Sequence, residues 1–376
     1  MPRQRCVNSW TKNGDILEEE SIRFHTSKNV FYNPAMARCR SISSLAVGAI
    51  NGKLDLVDAF CATGIRGIRY AKENKNVKHL TFIDIEQAAI NLAKKNAKAN
   101  RLKAEFKKGN ISRLAFETNA DFLEIDPFGT PSPYLLDGFR FFNPKKTAYL
   151  SATATDVAVL CGGKTAACMK NYHAKPLNNE FTHETGLRIM IKRIAEVAAE
   201  FNMGIEPLVS FSDKHYLKTI VMVKRSAKLA NESLKRLGYV FHCPKCGFRS
   251  HAQFPQACTS CGARTDFAGP LWLGELHELS FIKRMEKLNE KRDYSEKEQI
   301  GHMLSLMEGE VGMPPYYYNI HTLCKLQKIG GIPRMDSVLK MLRKKGYKAV
   351  RTHFSPVSIK ADAPYGKILE VLRWKG

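Results

Sequence analysis

The chain has 376 residues, 44% hydrophobic and 25% charged, the make-up of a globular protein with a real core and room for two or three domains. Fifty-nine Lys and Arg against 36 acids leave a net charge of +23 and a pI near 9.6, which points to a polyanionic partner. No apolar run reaches the roughly 18 residues needed to cross a bilayer, and Met1-Pro-Arg-Gln-Arg lacks the apolar stretch of a signal peptide, so the expectation is a cytoplasmic protein with no membrane partner.

In chain order, residues 1–30 are polar and mixed, with a short extended piece over 21–25. Val30-Phe31-Tyr32-Asn33-Pro34 then leads into a helix through Arg38, Arg40, Leu45 and Val47. Leu54-Asp-Leu-Val-Asp58 reads as an apolar strand, and Cys61-Ala-Thr-Gly64-Ile-Arg66-Gly67 as a small-residue turn opening a helix over 68–73. Strand, glycine turn and helix make the first unit of a dinucleotide-type fold, where backbone can approach a ligand closely. The turn lacks both the Gly-Lys-Ser/Thr ending of a P-loop and the three-glycine fingerprint of nicotinamide proteins. A second strand over 79–84 ends in Asp84, about 20 residues past the turn, where a carboxylate can take a ribose hydroxyl pair. The helix over 87–100 is expected to turn Ala88, Leu92 and Ala99 inward and Lys94, Lys95 and Lys98 outward.

A third extended piece ends at Asn110, and a fourth, Leu123-Glu-Ile-Asp126-Pro127-Phe128-Gly129, delivers a carboxylate to a turn with an aromatic ring two residues on. Such residues also end strands as plain turns. Preceded by a cofactor-type turn, however, they supply a proton acceptor, a stiff bend and a flat face, which suits reaction at a nucleobase amino group. A helix over 134–142, a fifth strand over 147–151, a long amphipathic helix over 184–201 and two strands, 207–211 and 215–224, follow. Five alternating units closed by such a pair predict a class I S-adenosylmethionine-dependent methyltransferase sheet: Rossmann-like α/β, seven strands, the last antiparallel. Cys161 could serve ring-carbon methylation, but no Pro-Cys pair ends the fourth strand, so it reads as a packed thiol.

Past Lys224 the character changes, so 1–224 is taken as the methyltransferase domain and 225–376 as a C-terminal α+β, nucleic-acid-binding domain. Cys243-Pro-Lys-Cys246 and Cys258-Thr-Ser-Cys261, with eleven residues between the pairs, match a closed, structural four-cysteine zinc site of ribbon type. Residues 265–275 read as a link containing Trp272. Helices are expected over 278–292, 295–308, 321–328 and 335–345, a strand over 348–354 and a final helix over 364–374. Two short helices followed by a strand suggest a winged-helix-like module. In cofactor terms, Gly64, Arg66 and Gly67 would surround the amino-acid end, Asp84 the ribose and Asn110 the adenine edge.

The chain resembles the tRNA guanine-26 N2-dimethyltransferase family from Phe31 to its C-terminus. The carrying stretches include Phe31-Tyr-Asn-Pro34, Asp58-Ala-Phe-Cys-Ala-Thr-Gly-Ile-Arg-Gly67, Asp126-Pro-Phe-Gly129, Ala152-Thr-Ala-Thr-Asp156, His183-Glu184, Asp213-Lys-His-Tyr216, Gly269-Pro-Leu-Trp-Leu-Gly274 and Arg351-Thr-His-Phe-Ser-Pro356. The resemblance implies cofactor contacts at Arg40, Arg66, Asp84, Asn110 and Ile111, catalysis by Asp126, and guanine sandwiched near Phe31 and Phe128. Asn110 departs from the pattern, standing where an acid is common. The implied activity is transfer of one or two methyl groups from S-adenosylmethionine to guanine N2 in tRNA, by a chain expected to act as a monomer. The residues alone leave open another amino acceptor, in other nucleic acid or protein glutamine, or a non-catalytic zinc-ribbon RNA-binding protein.

Overall fold

The structure is a computed structural model that describes residues 16–143, 147–254 and 256–374; the polar stretch over 1–15 lies outside the described residues. The strands of the largest sheet are numbered here in chain order: β1 Leu54–Asp58, β2 Val77–Asp84, β3 Glu105–Lys108, β4 Phe122–Ile125, β5 Ala148–Ala154, β6 Met203–Asp213 and β7 Tyr216–Arg225. Their order is β3-β2-β1-β4-β5-β7-β6, parallel throughout except where β7 pairs antiparallel with β5 and β6. This is the expected seven-stranded class I arrangement. The order reverses direction between β1 and β4, so the carboxyl ends of these two strands open onto the crevice where such sheets take ligands.

Several elements differ from expectation for identifiable reasons. Helix Ile65–Glu73 starts three residues early because Gly64, at φ 77, makes the turn and the helix begins directly after it. Helix Gln87–Ala99 is rotated from the expected face: Ala88 and Ala99 are exposed, while Ala89, Ile90, Ala93, Asn96 and Ala97 are buried with Leu92. Asn96 fixes that rotation. Its amide accepts from the His25 backbone N–H at 2.7 Å and donates to the His25 and Thr63 carbonyls, so a polar residue faces inward with all its bonds made. The expected link over 265–275 contains a strand, Asp266–Trp272, which pairs with Leu237–His242, whose other edge carries Arg249–Ala252.

The expected strand over 348–354 is the first half of a hairpin, Ala349–Thr352 turning at His353-Phe354 into Ser355–Ala361. With Tyr318–Asn319 they form a sheet whose order is first, third, second strand. Helix Lys297–Glu310, that first strand, helices Ile320–Leu326 and Met335–Lys344 and the hairpin give the element order of a winged helix. This module has its own core around Tyr318, Leu323, Leu339, Leu342, Ile359 and Ile368.

Among the described residues, the rest of the C-terminal half has no separate core. Val240, Ala268, Leu271 and Trp272 share one cluster with Leu187, Ile191 and Leu150. Phe281, Met285 and Leu304 share another with Leu45, Ile68 and Phe82. Packing therefore runs across the 224/225 boundary drawn from composition. Three motifs remote from the crevice meet at this seam. Glu184, fully buried on helix Thr182–Glu200, accepts from Arg188 at 2.8 Å and from Lys360 at 2.6 Å. Arg188 in turn donates to the Trp272 and Gly274 carbonyls, and His353 donates its backbone N–H to Glu310 at 2.7 Å.

Candidate active site and metal centre

β4 ends at Ile125, so Asp126 emerges at the sheet's carboxyl edge, and Pro127 and Phe128 follow in the turn. Two reciprocal bonds fix the turn to Thr155, the residue just after β5. The Gly129 N–H donates to Thr155 Oγ1 and the Thr155 N–H to the Gly129 carbonyl, both at 2.9 Å. Thr130 donates to Tyr172 and Tyr172 to Asp156, so a second layer holds the same bend. Asp126 thus sits on a rigid support, as proton abstraction at a fixed acceptor requires.

Asp126, Pro127 and Phe128 line a cavity of about 590 Å³ whose walls also include Phe31, Arg40, Arg66 and Asp84. That size suits a nucleoside-bearing cofactor together with part of a base. The floor comes from the β1 turn: the Cys61 N–H donates to the Ile83 carbonyl, and Gly64 leaves it in the left-handed region. A side chain at Gly64 would sit 3.0 Å from the Ala93 Cβ in a backbone conformation strained for any L residue, so the bend needs glycine. Gly64 itself lies between wall residues Thr63 and Ile65. Asp84 accepts from the Ala62 and Glu86 backbone N–H groups at 3.0 Å, which aims it across the turn.

Arg40 is buried, doubly paired with Glu19, and donates to the Asn33 carbonyl at 3.1 Å. Asn110 and Ile111 are not brought into the cavity wall. The Asn110 side chain caps its own short helix, accepting from the Ser112 N–H at 2.8 Å, and Ile111 is buried beneath it. Their part in cofactor binding therefore rests on the sequence reading for Asn110 and on the resemblance for Ile111.

Arg66 does more than the sequence reading gave it. Its guanidinium bonds the Asp126 carboxylate directly and reaches Tyr70 Oη at 3.4 Å. One layer deeper, Lys218 on β7 bonds Glu124 and donates to Thr153 at 2.9 Å, while Tyr70 donates to Glu124 at 2.8 Å. Burial pushes the Asp126 carboxyl up, but Arg66 and then Lys218 outweigh it and hold the group below the usual carboxylate range. It is therefore ionised and able to accept a proton. Burial, with Glu124 nearby, pushes the neighbouring Asp58 up to about 7.

Lys218, Glu124 and Tyr70 were missed by sequence reasoning. A signal was present: Glu124 is the one polar residue of Phe122–Ile125, and Lys218 precedes the apolar run over 220–223, so two opposite charges set in core strands imply a pair. Burial of Cys161, with its thiol pushed up to about 11, agrees with a packed cysteine.

Phe31 and Phe128 stand at the mouth, 53% and 76% exposed, with ring centroids 4.6 Å apart and planes at 83°. They touch edge to face, which leaves no room between them for the expected sandwiched guanine, and both remain exposed. Exposed rings beside a carboxylate are stacking surfaces for a planar group.

The four predicted zinc cysteines converge. Sγ separations are 3.6 Å for Cys243–Cys261 and Cys246–Cys258 and 3.7 Å for Cys258–Cys261, and all four sulfurs lie within 4.8 Å of one another. A zinc tetrahedron with Zn–S near 2.3 Å has edges of about 3.8 Å, so the donors fit the ion. Each pair closes a knuckle through a following glycine: the Gly247 N–H donates to the Cys243 carbonyl and the Gly262 N–H to the Cys258 carbonyl.

Residues 13–373 match the family model described as N2,N2-dimethylguanosine tRNA methyltransferase. The chain is 36% identical over 356 residues to a tRNA (guanine(26)-N(2))-dimethyltransferase from Methanobrevibacter smithii, covering 92% of this chain and 91% of the relative. Identity to the enzyme of that name from Thermococcus kodakarensis is also 36%, over 95% of this chain and 96% of the relative. Among solved structures, Trm1 from Pyrococcus horikoshii in complex with S-adenosyl-L-methionine superposes with a TM-score of 0.87 at 30% identity, over 96% of this chain and 100% of that one.

Proposed function

The chain belongs to the N2,N2-dimethylguanosine tRNA methyltransferase family, and from that premise we propose how its own residues transfer methyl groups to N2 of guanine-26 in tRNA. It is an S-adenosylmethionine-dependent tRNA (guanine-26 N2) dimethyltransferase. S-adenosylmethionine supplies the methyl on an electrophilic carbon; Arg40, Arg66, Asp84 and the Gly64 turn would hold it, and they surround a cavity of fitting size.

Guanine N2 is a weak nucleophile because its lone pair is delocalised into the ring. Asp126 accepts a hydrogen bond from one N2–H and takes the proton as the N–C bond forms and the methyl–sulfur bond breaks, leaving a neutral thioether, with the Pro127 carbonyl as a second acceptor for the remaining N–H. Phe128, the more exposed ring, offers the stacking face that fixes the guanine plane so that the lone pair points along the line of attack, and Phe31 braces it edge to face. A guanine inside a stem must first be unstacked, at a cost of a few kcal/mol that stacking on this aromatic face offsets. Because dimethylation repeats the same proton removal, the carboxylate must return to its ionised state between rounds, and its pairing with Arg66 favours that state. The cavity wall is complete within one chain, so the reading takes the protein as a monomer acting on tRNA, with the cytoplasm as its expected location.

The observation that carries this reading is the Asp126 carboxylate, bonded by Arg66 at the β4 tip in the cavity that Phe31 and Phe128 also line. Nucleoside mass spectrometry of unmodified tRNA incubated with cofactor should show N2-methylated guanosine. Asp126→Ala should lose turnover yet retain tRNA binding. Unchanged methylation by that variant would remove Asp126 from the mechanism, and a dimer by light scattering would remove the monomer.

A further inference from the structure

We infer that the outward face of helix Met335–Lys344, with Lys348 just beyond it, is a docking surface for the phosphate backbone of the substrate tRNA. The inference rests on the tRNA reading above and names the element that grips the RNA away from the pocket. Over 318–374 the chain carries twelve Lys and Arg against three acids. Those three acids are already engaged. Asp336 pairs with Arg351, Glu370 with Lys345 and Lys367, and Asp362 accepts the Lys348 backbone N–H.

Cations facing outward are thus left without acidic neighbours. Helix Met335–Lys344 buries Val338, Leu339 and Leu342 against the module's core and exposes Lys340 and Lys344 one turn apart, with Lys348 exposed after the helix. Among the described residues no ion pair engages these three side chains. Their neighbour Arg343 instead donates to the Ala349 carbonyl at 2.9 Å, tying the helix to the hairpin. Such a stripe of free ammonium groups attracts a regular row of phosphates through counterion release and carries no base readout.

The fold also says which part of the module is available. In a winged helix the second helix of the pair and the hairpin tip are the elements that meet nucleic acid. Here the tip is used internally. His353 is inserted between helix Lys297–Glu310 and the segment that follows strand Asp266–Trp272, with its ring nitrogen 2.7 Å from Glu310 and its ring 5.7 Å from that of His277, and Phe354 stacks on Tyr317. Anchoring the tip sets the module rigidly on the methyltransferase sheet and leaves the helix as the free face. At the start of that helix, residues 327–333 and 372–374 surround a depression of about 430 Å³, edged by Lys328 and Trp374, the latter 60% exposed.

The test is the triple charge reversal Lys340→Glu, Lys344→Glu, Lys348→Glu, with a Gln triple as the conservative control, in the full zinc-loaded chain. Expected are a KM for tRNA raised at least tenfold with kcat at saturation unchanged, a smaller rise in the Gln variant, and cofactor affinity as in the parent. The slope of log affinity against log salt should become shallower by roughly two to three, about 0.7–0.9 for each phosphate no longer neutralised. Unchanged KM and salt slope in a folded variant would overturn the inference. So would loss of binding to phosphatidylserine vesicles with no change toward tRNA, which would assign the stripe to a membrane surface. Failure of the parent chain to methylate tRNA would sink the functional reading instead, and filter binding of tRNA to parent and variant would still test the helix.

Discussion

Replacing Lys218 by Met should destabilise the protein through Glu124 and alter the pH response of the reaction through Asp126. Lys218 and Glu124 side chains have no solvent exposure, and each is the other's direct ionic partner. Removing the cation leaves a carboxylate whose remaining close partners are Tyr70 at 2.8 Å and the Arg66 Nε at 4.0 Å. Breaking a buried pair from one side costs about 3–5 kcal/mol. At roughly 2–4 °C per kcal/mol for a large domain, the melting temperature should fall on the order of 10 °C. Adding Glu124→Gln removes the stranded charge while keeping an acceptor for Tyr70, so the double variant should recover most of the loss. Calorimetry or urea unfolding of parent, both singles and the double measures the coupling. The rate profile supplies an independent readout. Lys218 helps hold Asp126 below the usual carboxylate range, so its loss raises that pKa, and the acid limb of kcat must move to higher pH. A single variant within about 1 kcal/mol of parent, or a double as unstable as the single, would refute the reasoning.

Three further outcomes follow from the site. Asp58 is pushed up to about 7 by burial and by Glu124, so the folded state holds its proton more tightly than the unfolded chain does. The stability it gives is complete below the unfolded carboxylate pKa and is lost as pH rises through about 7; denaturation curves for Asp58→Asn should therefore show a weaker decline from mildly acidic to mildly basic pH. Phe128→Ala should reduce kcat/KM for tRNA about tenfold to a hundredfold, the loss of one base stack worth ~1–3 kcal/mol, with calorimetric cofactor affinity unchanged. Cys258→Ser should reduce bound zinc below one equivalent by emission spectrometry. It should also loosen the winged module, because Gln327 donates to the Cys246 carbonyl at 2.6 Å and the side chains of Leu323 and Leu326 lie close to Gly247.

What could be read from the sequence was whatever local chemistry announces. β1, β2 and β4 are apolar runs ending in an acid or a turn, and they stand where periodicity put them. The Cys-x-x-Cys pairs and Asp126-Pro-Phe carry their meaning in adjacent residues, so their geometry followed as well. What escaped depends on partners distant in sequence. Asp266–Trp272 contains Gly269 and Pro270, which argue against a strand, and its pairing with Leu237–His242 shifts register between Gly238 and Val240 to accommodate them. Ser355–Ala361 looks too polar for an inner strand, because the acid that neutralises Lys360, Glu184, lies 176 residues away. Asn96 turned a helix by bonding a backbone 71 residues away, which no helical wheel records.

The pairing of Lys360 with Glu184 joins residues 176 apart. During synthesis the helix bearing Glu184 leaves the ribosome long before its lysine exists, so Arg188 alone must keep that carboxylate company while the sheet assembles. The seam is therefore completed only when nearly the last hairpin is made, because a chain that ends short of Lys360 lacks the cation shared by Glu184 and Glu310.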